Sequence, residues 1–140
     1  MVWIGLQRAD VPADRTFAAG LSALPAARKF AWLMFRTAGA VLTVPVAEEL
    51  AFRGYLIRKL VASDFETVPA GQFTWFSFVA SSLLFGLLHQ QWIAGTIAGM
   101  LFAIAFYRRG RICDAVVAHA SANAILAAYV LGTHQWSLWN

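Results

Sequence analysis

Four apolar runs constrain what this chain can fold into: FAWLMFRTAGAVLTVPVA at 30–47, FTWFSFVASSLLFGLLH at 73–89, WIAGTIAGMLFAIAFY at 92–107 and ICDAVVAHASANAILAAYVL at 112–131. Each is about 16 to 20 residues long, near the roughly 20 that a helix needs to cross a hydrocarbon core. Lipid offers backbone groups no hydrogen-bond partners, so runs of this kind fold as helices, which satisfy those groups internally. Composition agrees: 60% of the 140 residues are hydrophobic and 13% are charged, against roughly 25% charged in an average soluble domain. A chain this short cannot enclose so much apolar surface in one globule. The expected fold is all-α, a polytopic transmembrane helical bundle of about four membrane helices.

The formal charge of +4 sits largely beside the apolar runs. That pattern suits membrane flanks and gives no reason to expect a nucleic-acid partner. Cys113, the one cysteine, has no partner for an intrachain disulfide. Residues 1–29 are broken by Arg8, Asp10, Asp14 and Arg15, which a signal-peptide core would not tolerate. They read as an interfacial or loop segment, ahead of a core at 30–135 and a tail at 136–140. Apolar character resumes after residue 47 in LAFRGYLIRKLV, so one long helix to Val61, bent at Pro45, is expected.

Residues 63–72 read as a loop, and Gln90–Gln91 as the turn of an antiparallel hairpin or the bend of a single helix. In a four-span count the basic turn Arg108–Arg111 shares a side with Arg58 and Lys59, which the positive-inside rule would make cytoplasmic. Trp75, Trp92, Trp136 and Trp139 are expected at the headgroup layer. Gly95 and Gly99 have the spacing of a close helix contact, and Ser81, Ser82 and Ser121 are expected to donate between helices.

Ionisable groups in such runs are costly and often functional. Glu49 and Arg53 are spaced i,i+4 and can neutralise each other on one helix face. Glu48 is rotated about 100° from Glu49, so the two carboxylates are not expected to share a partner, and Glu48 is expected toward a cavity. His89 ends the second run one turn after Phe85. His119 and Asn123, again i,i+4, can donate hydrogen bonds to one point in the bundle. A buried Glu48 near a histidine could act as general base toward water. His119 and Asn123 could then hold the oxyanion of a tetrahedral intermediate. This set suggests a water-activating hydrolase within a membrane.

EELAFR, FGLLH and HASAN, in that order and each on or beside an apolar run, resemble the EExxxR, FxxxH and HxxxN/B signatures of the CAAX protease and bacteriocin-processing family. That family comprises glutamate intramembrane proteases. The resemblance spans about residues 30–135. It implies Glu48 and His89 as water activators, Glu49 and Arg53 as supports, and His119 with Asn123 as the oxyanion-binding pair. VPVAEELAFRGYL, FTWFSF, LLFGLLHQQWIAG and GTHQWSLW further look like the bacterial exosortase-associated branch. The resemblance thus implies a protein or peptide substrate, an exosortase-type system as partner and a multi-pass place in the plasma (inner) membrane. It also implies no cofactor. Family members usually carry more membrane helices, which implies a truncated or short member. Two other functions fit the same residues: a zinc-dependent protease, since two histidines and two carboxylates can ligate zinc, and a non-enzymatic scaffold, immunity protein or proton-linked carrier.

Overall fold

The computed structural model describes residues 10–139, and all regular structure among them is helical. Helix α1, Val11–Ser22, begins at Asp10, whose side chain accepts from the Ala13 amide, with Pro12 in the first turn, where its missing N–H costs nothing. Part of the segment read as interfacial or loop is therefore a capped helix. Helix α2 runs unbroken over Ala26–Lys59, matching the long continuous helix expected from the sequence. Helices α3 (Trp75–Leu87), α4 (Trp92–Tyr107) and α5 (Ile112–Thr133) follow. The tail adds a 3-10 turn at Trp136–Trp139.

Of the four apolar helices, α2 and α5 are long and apolar enough to cross a membrane, while α3 and α4 are shorter. Phe35, Leu42, Val46 and Leu50 along α2 are exposed, as expected of a helix whose outer surface meets lipid. α2 is not uniform. Wide π turns at Gly39–Thr43 and Leu50–Leu56 flank the α-helical Val44–Glu49, so Pro45 opens a regular segment just after one of them. π turns inside α-helices recur at functional sites.

α3 and α4 form an antiparallel hairpin. A Cβ on Gly86 would lie 2.1 Å from Thr96 Oγ1 and 2.5 Å from the Trp92 carbonyl, and one on Gly99 would meet Phe85 Cβ at 3.2 Å. Glycine at these positions is what allows the two backbones to touch. Phe78, Ala103, Phe106, Ala115 and Ile57 fill one core. At the same end, Gly110 in the basic turn lies against Ala70 in the loop at 63–72.

Two expectations fail here. Ser81 and Ser82 both donate to the Phe78 carbonyl, and Ser121 to the Val117 carbonyl. A serine hydroxyl finds the carbonyl one turn back in its own helix before it finds another helix. Trp136 and Trp139 are buried with Leu21, Ala127 and Val130, because the tail folds back on α1: the Ser137 amide donates to Asp14 Oδ1 at 2.6 Å and the Asp10 amide to Ser137 Oγ at 3.1 Å. Trp75 and Trp92 are exposed, as expected of interface residues.

Candidate active site

The Val44–Glu49 segment of α2 carries two carboxylates into the bundle. Glu49 is fully buried and pairs with Arg53 one turn on: Arg53 Nη1 donates to Oε1 at 3.1 Å, and Nε lies 3.1 Å from Oε2 in an ion contact off the hydrogen-bond axis. Arg53, equally buried, also donates from Nη2 to the Gly99 carbonyl at 2.6 Å. Its guanidinium lies 5.0 Å from the Phe85 ring centre, 5.8 Å from Phe52 and 5.9 Å from Phe102. These rings supply the quadrupole attraction that a desolvated cation needs. The i,i+4 pairing read from the sequence is present.

Glu49 has a second partner. His119 Nδ1 lies 3.0 Å from Glu49 Oε1. A carboxylate only accepts, so Nδ1 carries the proton, and Glu49 thereby fixes the ring's orientation. His119 Nε2, on the other edge, lies 3.9 Å from Glu48 Oε2. The expectation that the two glutamates could not share a partner is therefore corrected. A rotation of about 100° separates them, but an imidazole offers nitrogens on two edges and fits between both arms. Phe102 stacks on the His119 ring at 4.5 Å and 15°. Glu48 Oε2 is enclosed and has no hydrogen-bond partner within the protein.

A cavity of about 520 Å³ opens beside this network, with His89, His119, Asn123, Phe85 and Phe102 on its wall. Glu48 is not among the wall residues and meets the cavity through His119, which corrects the expectation that it faces the cavity directly. His89 lies two residues past the end of α3, with Nδ1 2.8 Å from the Phe85 carbonyl oxygen. The Phe85 ring sits between the two histidines, 4.9 Å from His89 and 5.7 Å from His119. Asn123 donates from Nδ2 to the Ala40 carbonyl at 2.8 Å. That carbonyl lies in the first π turn, and Nδ2 has a second N–H.

Along the antiparallel α2 and α5, Glu49 meets His119 and Ala40 meets Asn123. Arg36 of α2 then reaches the tail, donating from Nη2 to the Trp139 carbonyl at 2.5 Å. Arg36 and Trp139 also line the cavity. The sequence motifs point to neither. An arginine amid FAWLMF was visible, but its partner lies 103 positions away. Among the described residues, no three His, Cys, Asp or Glu side chains converge as a metal-ligand set.

The chain finds no match among curated proteins or solved structures. The profile described as type II CAAX prenyl endopeptidase Rce1-like matches residues 30–125, which include both glutamates, Arg53, Phe85, His89, His119 and Asn123. The match covers more than half of the sequence and nearly all of the helical bundle that builds this site, so the chain belongs to the Rce1-like family of type II CAAX prenyl endopeptidases.

Proposed function

We propose that this chain is an intramembrane endopeptidase that hydrolyses a peptide bond with water activated by Glu48. One observation carries the reading. Glu49 is committed to Arg53 and His119, while Glu48 Oε2 is enclosed, free of protein hydrogen bonds and 3.9 Å from His119 Nε2. A carboxylate with a spare acceptor beside an oriented imidazole suits general base catalysis.

In the proposed reaction, Glu48 with His89 draws a proton from water, and the oxygen adds to the carbonyl carbon. His119, in its doubly protonated form, gives Nδ1–H to Glu49 and Nε2–H to the oxyanion. The second N–H of Asn123 joins it. Donors fixed before the charge develops lower the barrier without reorganisation. Glu48 then passes its proton to the departing amine as the C–N bond breaks. Glu49, Arg53 and Phe85 position these groups and do no chemistry. No metal takes part. The substrate is a protein or peptide at the bilayer, of the CAAX type that the family description names. The bacterial exosortase-associated branch, an exosortase-type partner and a multi-pass place in the inner membrane are proposed on the sequence stretches quoted above.

The test is Glu48→Gln in protein reconstituted with a CAAX-type peptide. Cleavage should fall at least ~100-fold, in line with losing a general base, while the unfolding temperature holds. Undiminished cleavage in this variant would sink the assignment. Cleavage that stops in chelator and returns with zinc would replace the mechanism by a metal-dependent one.

A further inference from the structure

Arg36 and Lys59, both exposed, stand roughly 30–35 Å apart along α2 at 1.5 Å per residue, close to the ~30 Å thickness of a hydrocarbon core. α5 is bracketed in the same way, by Arg111 at its N-cap and His134 at its C-cap. Ile57 packs with Ala115 at the Lys59 end of the pair, and Arg36 meets the tail beyond His134 at the other. With Lys59 and Arg111 at one headgroup layer, Arg36 therefore lies at the opposite one. Phe35 beside it and Leu42 deeper along the helix are exposed.

A second cavity, of about 540 Å³, opens at this level between α1, α2 and the tail. Its wall holds a closed circuit of aromatic contacts: Phe17–Trp32 at 5.4 Å, Trp32–Trp139 at 6.4 Å, Trp139–Trp136 at 5.9 Å and Trp136–Phe17 at 5.2 Å. Two donors on this wall are short of acceptors. Trp136 is only 6% exposed, and its Nε1–H is buried with no hydrogen-bond partner in the protein, although a buried indole N–H normally finds one. Arg36 donates from Nη2 to the Trp139 carbonyl, which leaves most of the five N–H donors of a guanidinium uncommitted. Among the described residues, no carboxylate lies within ion-pair distance of it.

We propose that this second cavity is a phospholipid site, in which Arg36 and Trp136 hold the phosphate and ester oxygens of the headgroup. Both groups donate, so the ligand that fits is an anion rich in acceptors. A guanidinium takes two phosphate oxygens through parallel hydrogen bonds, and the Trp136 N–H takes a further acceptor. Guanidinium and Trp136 ring each lie 5.9 Å from the Trp139 ring, a span that a phosphodiester and its glycerol esters cover. Aromatic rings suit the boundary between headgroup and chain. Exposed Phe35 and Leu42 then offer an apolar face to the acyl chains, which a soluble phosphate lacks. Phe35, Arg36 and Trp139 also line the cavity beside the glutamates, so the headgroup stands at the partition between the two. The inference is independent of the proposed hydrolysis.

The probes are dioleoylphosphatidylglycerol and dioleoylglycerol, which share their chains and differ in the phosphate-bearing headgroup. Their binding to detergent-purified protein is followed by native mass spectrometry. Phosphatidylglycerol should bind at least ~10-fold more tightly, as one charge-assisted pair implies. Arg36→Gln should erase that preference, and Arg36→Lys should keep part of it. Trp136→Phe, which retains a ring and removes the N–H, should lower it about 3-fold, the scale of one hydrogen bond. Lys59→Gln combined with Arg108→Gln, at the other headgroup layer, should leave it intact. Equal binding of the two probes by the wild type, or a preference surviving in Arg36→Gln, overturns the proposal. A preference lost in the Lys59 and Arg108 double variant overturns it by placing the lipid at the other face. Displacement of phosphatidylglycerol by millimolar inorganic phosphate overturns it too, by assigning the site to a soluble anion.

Discussion

The two ends of α2 each carry an arginine set against aromatic rings, Arg53 fully buried and Arg36 exposed. Toward its C-terminal end Arg53 sits among phenylalanines, donates to a backbone carbonyl and is neutralised by Glu49. Toward its N-terminal end Arg36 sits against tryptophan and donates to a backbone carbonyl, but no acid stands beside it among the described residues. Both ends use the same two devices, an aromatic ring and a carbonyl. Burial and the carboxylate that it requires are the difference. The Arg53 end is thereby a closed structural unit, and the Arg36 end is open, with no acid beside it among the described residues.

The largest effect should come from breaking the closed end. Arg53→Ala strands Glu49 without its counter-ion, and removing one partner of a buried pair costs about 3–5 kcal/mol. Arg36→Ala strands no acid among the described residues and, Arg36 being exposed, should cost about 0.5–1.5 kcal/mol, the net scale of one hydrogen bond. Urea unfolding in mild detergent compares the two, and equal losses would erase the distinction between the ends.

Next comes the hairpin that supplies Phe85 and Gly99 to the Arg53 end. Gly86→Ala pushes a Cβ into Thr96 Oγ1 and the Trp92 carbonyl, an overpacking expected to cost about 1–3 kcal/mol. The same unfolding curves should show the loss. If Gly86→Ala is neutral, the helices are not in contact as described. The smallest effect sharpens the open end. Asp14→Ala removes the acceptor of the Ser137 amide and should cost about 1 kcal/mol. Faster amide exchange should be confined to residues 136–139 and leave the Arg53 end protected.

Much of the closed end was legible in the sequence because its rules are local. Glu49 and Arg53 meet by i,i+4 spacing, and the observed α4 has the limits of the run at 92–107. α2 ends at Lys59, two residues short of the expected Val61. What sequence spacing could not supply was the contact across 70 positions between Glu49 and His119, which depends on how α2 and α5 pack. The sharing of one imidazole by two glutamates followed from ring geometry that a helical wheel does not represent. The open end was least legible. Trp136 and Trp139 look like interface anchors by composition, and only the fold-back of the tail onto α1 buries them.

The π turn at Gly39–Thr43 lies between the two ends of α2, with Arg36 before it and Glu48 after it. A π turn holds one residue more than an α turn, and tightening it would turn everything on one side by about 100° relative to the other. The width of this turn thus sets the angle at which the Arg36 end of the helix stands to the Glu48 end. Asn123 is bonded to Ala40 within that turn. The side chain proposed to meet the oxyanion is therefore also fastened to the part of the scaffold that sets the angle between the two ends of the helix.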